Sequence, residues 1–239
     1  MIVHEVFPVL VCEFHYDEHE GFKNVFYQHM KDWVDPKGHQ DESGTQALHQ
    51  EKELLPFYSF VAQSAKQYIH QLGLDSDDYY YNIVKSWWNI NHRDSIPPHA
   101  HSDAHLSFSY YLNAPPDSNR LVFIPDHRFQ NDLTHGMFLE DYNGDSPIIN
   151  TNRFNSSPTF VPEDGMLVMF PGSLAHQTIP ADVLEGNDVE LKPDPATTDE
   201  DEIKRRRISI AGDILLTLRD NGKPRAMGLR SSDHWIRFK

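Results

Sequence analysis

The sequence predicts an α+β, mainly β fold, in which N-terminal helices pack on an antiparallel jelly-roll core. Two textures in the chain carry this expectation. Up to Gly73, apolar residues recur at helical spacing; from Tyr79 onward, short aromatic and β-branched runs alternate with turn residues. A third observation is size. At 239 residues with 38% hydrophobic content, the chain is expected to form one domain over 1–239 with a substantial core.

The elements follow in order. A short strand is expected at 4–12. Phe22, Val25, Phe26, Met30 and Trp33 mark a helix over 18–34, and Phe57, Phe60, Val61, Ala65, Tyr68, Ile69 and Leu72 mark a second over 57–72. Together they make a helical support covering most of 15–72. Pro36, Gly38 and Gly44 make 35–45 a loop. The β-core then runs over about 79–218, with strands expected at 79–91, 105–113, 120–124, 158–161, 166–170 and 207–217. Pro97-Pro98, Pro115-Pro116-Asp117, Asn143-Gly144 and Glu163-Asp164-Gly165 punctuate them as turns. Residues 182–203 are acidic and carry Pro193 and Pro195, which predicts a surface loop, either a lid or an insertion without a role.

Formal net charge is −15, and that field repels a phosphate backbone, so no nucleic-acid partner is expected. The one dense cationic run, Lys204 to Arg207, follows the acidic run Asp199 to Glu202, and the two are expected to neutralise each other. No stretch approaches the roughly 20 apolar residues that span a bilayer, so no membrane partner is expected. The opening MIVHEVFPVLVCEFHYDEHE shows no basic leader or cleavage site, and Cys12 is the only cysteine. A cytoplasmic setting is the expectation. The aromatic run Tyr79–Trp88 fits either a core strand or the interface of a homodimer.

The chemistry concentrates in His99-Ala-His101-Ser-Asp103-Ala-His105 and, far downstream, in Phe170-Pro-Gly-Ser-Leu-Ala-His176. Two histidines and one carboxylate on one face of a metal leave the opposite face open, as in the facial triad of non-haem Fe(II) oxygenases. Strand alternation would put His101 and Asp103 on one side, and it would do the same for His99 and His101. The first pair, with His176, makes a two-histidine, one-carboxylate centre. The second makes a cupin-type centre of His99, His101 and His176, although no glutamate follows at the usual cupin distance. The first is favoured. Downstream, alternation in Arg207-Ile208-Ser209-Ile210 places Arg207 and Ser209 on one face, a rigid fork and a hydroxyl suited to a carboxylate.

The runs HAHSDAHLSFSYYLNAPPD, PEDGMLVMFPGSLAHQTIP and RRISIAGDI, in that order, resemble the 2-oxoglutarate/Fe(II)-dependent oxygenase superfamily. VFPVLVCEF and SWWNINHRDSIPPHAH extend the resemblance over most of the chain. It is nearest to a largely uncharacterised group of such oxygenases from phages and marine bacteria. The resemblance implies a double-stranded β-helix, a jelly-roll of the cupin-like kind. It implies Fe(II) held by His101, Asp103 and His176, with 2-oxoglutarate as co-substrate and dioxygen as oxidant. Arg207 and Ser209 would bind the far carboxylate of 2-oxoglutarate. Among Ser107, Ser109 and Tyr111, which share a face, Tyr111 would assist; Asn89 or Asn91 would also lie near the co-substrate. The activity implied is a dioxygenase, a hydroxylase of a protein side chain or small molecule, releasing succinate and carbon dioxide. A cupin-type metalloenzyme without a keto acid and a non-catalytic jelly-roll binding module are the alternatives. The resemblance also marks two departures: a long gap between His176 and Arg207, and Arg206 as a neighbour competing with Arg207.

Overall fold

Helical spacing in the first third of the chain produces two helices, and the aromatic texture beyond it produces two facing sheets. The computed structural model describes residues 9–33, 46–90, 95–124, 158–184, 199–218 and 235–238. The order is β1 (Cys12–His15), α1 (His19–Trp33), α2 (Leu55–Gln71), β2 (Tyr79–Ile90), β3 (Ile96–His99), β4 (Leu106–Asn113) and β5 (Arg120–Phe123). Then come β6 (Thr159–Phe160), β7 (Met166–Pro171), β8 (His176–Ile179), α3 (Ala181–Leu184), α4 (Glu200–Ile203), β9 (Ile208–Leu218) and β10 (Ile236–Phe238).

One sheet has six strands in the order β1-β7-β4-β9-β2-β10, and the other has four in the order β3-β8-β5-β6. Their pairings are antiparallel. Two antiparallel sheets with crossovers between them form the mainly β jelly-roll expected from the sequence.

Alternation gives the six-stranded sheet two different faces. The outer one carries Leu106, Phe108, Tyr110, Leu167, Met169, Ile208, Ile210 and Trp88, all buried in one cluster with Phe22, Phe26 and Phe57 of the helices. The contacts are aromatic: Phe26 meets Trp88 edge-on at 5.2 Å, and Phe22 stacks on Phe57 at 4.5 Å. Burying each such ring contributes on the order of 2 kcal/mol. The inner face carries Tyr111, Met166, Val168 and Phe170, which pack on Leu121 and Phe123 of the smaller sheet. Within the run Tyr79–Trp88, Tyr81, Ile83 and Trp88 of β2 are buried in this core.

Several expectations shift. The strand expected at 4–12 is found at Cys12–His15, with residues 9–11 outside it and 1–8 outside the described residues. Pro97-Pro98, read as a turn, lies within β3, an edge strand where a missing N–H is tolerated. β8 and β10 were not anticipated. The predicted loop 182–203 is bracketed by α3 and α4, with 185–198 outside the described residues. The loop 35–45, the turn at Asn143-Gly144 and Asn91 also lie outside them. In α4 the opposite charges do meet: Lys204 pairs with Glu200 and Arg206 with Glu202. No helix among the described residues is long and apolar enough to cross a membrane.

Polar ties fasten the helical layer to the strand ends. His19 Nδ1 and the Tyr110 hydroxyl lie 2.6 Å apart. Lys23 donates to Asp164 at 2.7 Å and to Asn113 at 2.9 Å. Asn113 in turn donates to the carbonyls of Lys204 and Arg206, which sets the entry into β9. Burial works against the Asp164 charge, but hydrogen bonds from His19, Lys23 and the Ala114 N–H outweigh it and hold this carboxyl well below the usual range. Its stabilisation is therefore complete above the unfolded-chain value of about 4 and is lost as pH falls towards the lower folded value. Urea titrations between about pH 6 and pH 2 should show a smaller acid-dependent loss of stability for Asp164→Asn than for the wild type.

Candidate metal centre

His99 and His176 meet because of strand register. β3 pairs with β8 so that His99 lies directly opposite His176, and their rings sit 4.3 Å apart. The chain then leaves β3 and bends through 101–105 before β4 begins at Leu106. Two anchors hold the bend. The His101 N–H donates to the Gly172 carbonyl at 2.7 Å, and the Gly172 N–H donates to the His105 carbonyl at 3.1 Å. On the far side, the His105 N–H donates to Ile214, and the His105 ring accepts from the Leu216 N–H. So fixed, the His101 ring lies 5.3 Å from His99 and 5.2 Å from His176. One ligand nitrogen from each of His99, His101 and His176 falls within 4.8 Å of the others. Imidazoles on one face of a first-row metal at about 2.1 Å sit about 3.0–3.4 Å apart, so an ion would draw the side chains together by one to two ångström.

The hydrogen bonds fix which nitrogens are free. His99 Nδ1 lies 2.9 Å from the Pro97 carbonyl, and His176 Nδ1 lies 2.9 Å from the Leu174 carbonyl. His101 Nδ1 lies 2.6 Å from Asp213 Oδ1. A carbonyl or a carboxylate can only accept, so each Nδ1 carries the proton and each neutral ring keeps its lone pair at Nε2. Burial, with the neighbouring His99 and His101 adding to it, lowers the His176 pKa to about 4, so this ring is neutral at pH 7. Three imidazoles whose Nδ1 is tied back and whose Nε2 is left to bind form a donor set suited to a first-row metal. The residues present therefore fit such an ion.

Asp213 is buried and collects three partners. Besides His101 it accepts from Ser107 Oγ at 2.6 Å and pairs with Lys85 Nζ at 2.8 Å. The register explains the meeting, since β9 places Asp213 opposite Lys85 of β2 and opposite Ser107 of β4. Burial opposes the Asp213 charge, yet His101 and Lys85 hold the carboxyl below its usual range. Burial also opposes the Lys85 charge, and Asp213 and then Asp103 raise its pKa above the usual lysine value.

Of the residues expected from the sequence, His101 and His176 are brought together, and His99 joins them. Asp103 is not brought with them: its carboxylate faces Lys85 Nζ at 3.3 and 3.4 Å. Strand alternation had paired it with His101, but 101–105 is a bend, where a period of two does not apply. His105 points to β9 instead. Asp213 was missed, although Arg207-Ile-Ser209-Ile-Ala211-Gly-Asp213 carries it on the alternation already noted for Arg207 and Ser209.

The histidines open into a cavity of about 400 Å³. Trp87, Asn89, Ser109, Arg207 and Ser209 share its lining with them. Arg207 is 1% exposed, and its guanidinium lies 5.1 Å from the centre of the Tyr111 ring. Burial lowers its pKa, while Tyr111 opposes that shift. Tyr111 is thus packed on Arg207 and belongs to the apolar cluster of the inner face. Arg206 turns to Glu202, so it does not compete for the cavity.

Gly172 is the tightest point of the frame. A Cβ there would stand 2.6 Å from the Ala104 carbonyl oxygen and 2.8 Å from that of His101. Gly172→Ala should therefore destabilise the fold by about 1–3 kcal/mol in urea titrations, and it should displace the bend that carries His101.

Comparison with known proteins bears on residues 85–185, which match a family model described as "Putative 2OG-Fe(II) oxygenase". No curated protein matches the chain. Among solved structures, a 2OG-Fe(II) oxygenase family oxidoreductase from Burkholderia pseudomallei is 15% identical over 61% of this chain, with a TM-score of 0.33. The chain spans about half of that protein, 48%. A Pseudomonas putida prolyl-4-hydroxylase is 14% identical, covering 85% of this chain and 91% of its own, with a TM-score of 0.43. The α-ketoglutarate-dependent epimerase SnoN of nogalamycin biosynthesis is 12% identical, covering 94% and 90%, with a TM-score of 0.49. The family match thus makes residues 85–185, which contain all three histidines of the cluster, similar to the 2-oxoglutarate/Fe(II)-dependent oxygenases.

Proposed function

We propose that the chain is a 2-oxoglutarate- and Fe(II)-dependent dioxygenase that hydroxylates a small molecule or a protein side chain. One observation carries the reading. Three imidazoles with Nδ1 tied back converge on a cavity that Arg207 and Ser209 also line. In this reading His99, His101 and His176 hold the iron, and Asp103 stays with Lys85. Arg207 takes the far carboxylate of 2-oxoglutarate in a two-pronged contact, and Ser209 donates beside it. Tyr111 keeps the guanidinium plane in place by packing on it. Bound together, Fe(II) and 2-oxoglutarate would supply oxidation of a C–H bond by dioxygen, one oxygen atom entering the product and the other entering succinate as carbon dioxide leaves. The rest is the protein's work: aligning the co-substrate, excluding water with the apolar walls of Trp87, Leu121 and Phe170, and leaving room for substrate.

A second reading follows from the three-histidine set itself, namely a metal centre of the cupin kind that uses no keto acid. One experiment separates the two. The metal-free protein is titrated anaerobically with Fe(II) and then 2-oxoglutarate, while the visible metal-to-ligand charge-transfer band is followed. The proposal expects a band in the wild type and in Asp103→Asn, and none in His99→Ala or His176→Ala. Arg207→Met should weaken co-substrate binding by about 10–100-fold, the worth of a charged hydrogen bond. Iron binding without any band favours the second reading. A band that needs Asp103 and tolerates His99→Ala returns the third ligand position to the carboxylate.

A further inference from the structure

We infer that Asp213 is the positioning residue of the metal centre, a carboxylate that acts on the metal through His101 and not by ligation. The inference rests on the reading of His99, His101 and His176 as ligands. The three histidines are oriented in two different ways. His99 and His176 each donate Nδ1–H to the carbonyl two residues earlier in the chain, Pro97 and Leu174. Their tautomers are set by local backbone. His101 instead donates to a side chain 112 residues away. Without Asp213, nothing in its own backbone turn selects the Nδ1–H form that bares Nε2.

The surroundings of Asp213 suit this task. The residue is fully buried, and its Oδ1 receives both His101 and Ser107 at 2.6 Å. Its Oδ2 faces Lys85, which compensates the charge in the interior. Ser107 also lies 3.2 Å from His101 Nδ1, which closes a triangle around the shared proton. A carboxylate on the remote nitrogen makes an imidazole a stronger donor than a neutral carbonyl does. His101 is thus the strongest of the three donors. The centre keeps its acidic group, but places it behind a histidine. On the metal there is then no carboxylate, which leaves the whole face opposite the imidazoles for co-substrate, dioxygen and substrate.

Co(II) serves as the probe, added to the metal-free full chain. The double variant Lys85→Met/Asp213→Leu removes the carboxylate together with its cation, so no unpaired charge is left inside and the variant can fold. We expect it to bind Co(II) about 10–100-fold more weakly than the wild type. Asp213→Asn, whose amide oxygen still accepts from Nδ1–H, should recover most of that loss. In proton NMR of the Co(II) protein, the strongly shifted exchangeable Nδ1–H signal of His101 should be present in the wild type and Asp213→Asn and absent in the double variant. Wild-type affinity and an intact His101 signal in the double variant overturn the inference while leaving the ligand set standing. A wild type that does not bind Co(II), or binds it equally well as His99→Ala, overturns the three-histidine reading itself.

Discussion

Antiparallel register between β2, β9 and β4 is the constraint on which the centre depends. It sets Lys85, Asp213 and Ser107 in one row across three strands, all facing inward. Because side chains alternate with a period of two, a slip of one residue in β9 would turn Asp213 towards the helices and bring Ile214 or Gly212 into its place. The apolar outer face opposes any such slip. Ile208, Ile210 and Ile214 are buried there against the aromatic layer of α1 and α2. The helices thus secure the chemistry without touching it, by making every other register expensive in exposed apolar surface.

The centre also straddles the two sheets. His99 and His176 belong to strands of the smaller sheet, Asp213 and Lys85 to the larger one, and His101 to the bend that leads from one sheet to the other. The imidazole cluster therefore exists only when the sheets are packed, and Phe170 shows how closely the two are joined. Its ring meets Phe123 at 4.9 Å and His176 at 4.7 Å, so the apolar core of the sandwich continues directly into the imidazole cluster. Gly172 belongs to the same joint, since its lack of a side chain lets two turns share carbonyl and N–H groups at close range. Rigidity of this kind favours preorganised ligands, because little ordering is left to be done when an ion arrives.

Much of this was legible in the residues, for identifiable reasons. Long strands with strong composition, such as Tyr79–Ile90 and Ile208–Leu218, stand within one or two residues of where their texture puts them. Short edge strands were not legible. β3 contains two prolines, which signal a turn when read alone and are tolerated at a sheet edge only because a neighbour supplies the other half of the ladder. The site divides in the same way. His101 and His176 stand out in local motifs and Arg207 with Ser209 by alternation, and all four line one cavity. Asp103 pairs with His101 by the alternation of a strand, but 101–105 is a bend, in which its carboxylate faces Lys85. Asp213 carries its meaning only through partners more than a hundred residues away, which no local pattern contains.

The hydrogen bonds of Nδ1 set all three histidines in one tautomer before any ion binds. Long-range ¹⁵N–¹H correlation of the imidazole rings in the metal-free protein at neutral pH tests it most directly. His99, His101 and His176 should all carry the proton on Nδ1, with Nε2 showing the shift of a bare lone-pair nitrogen. Protonated Nε2, or rapid averaging between the two forms at His101, would contradict it.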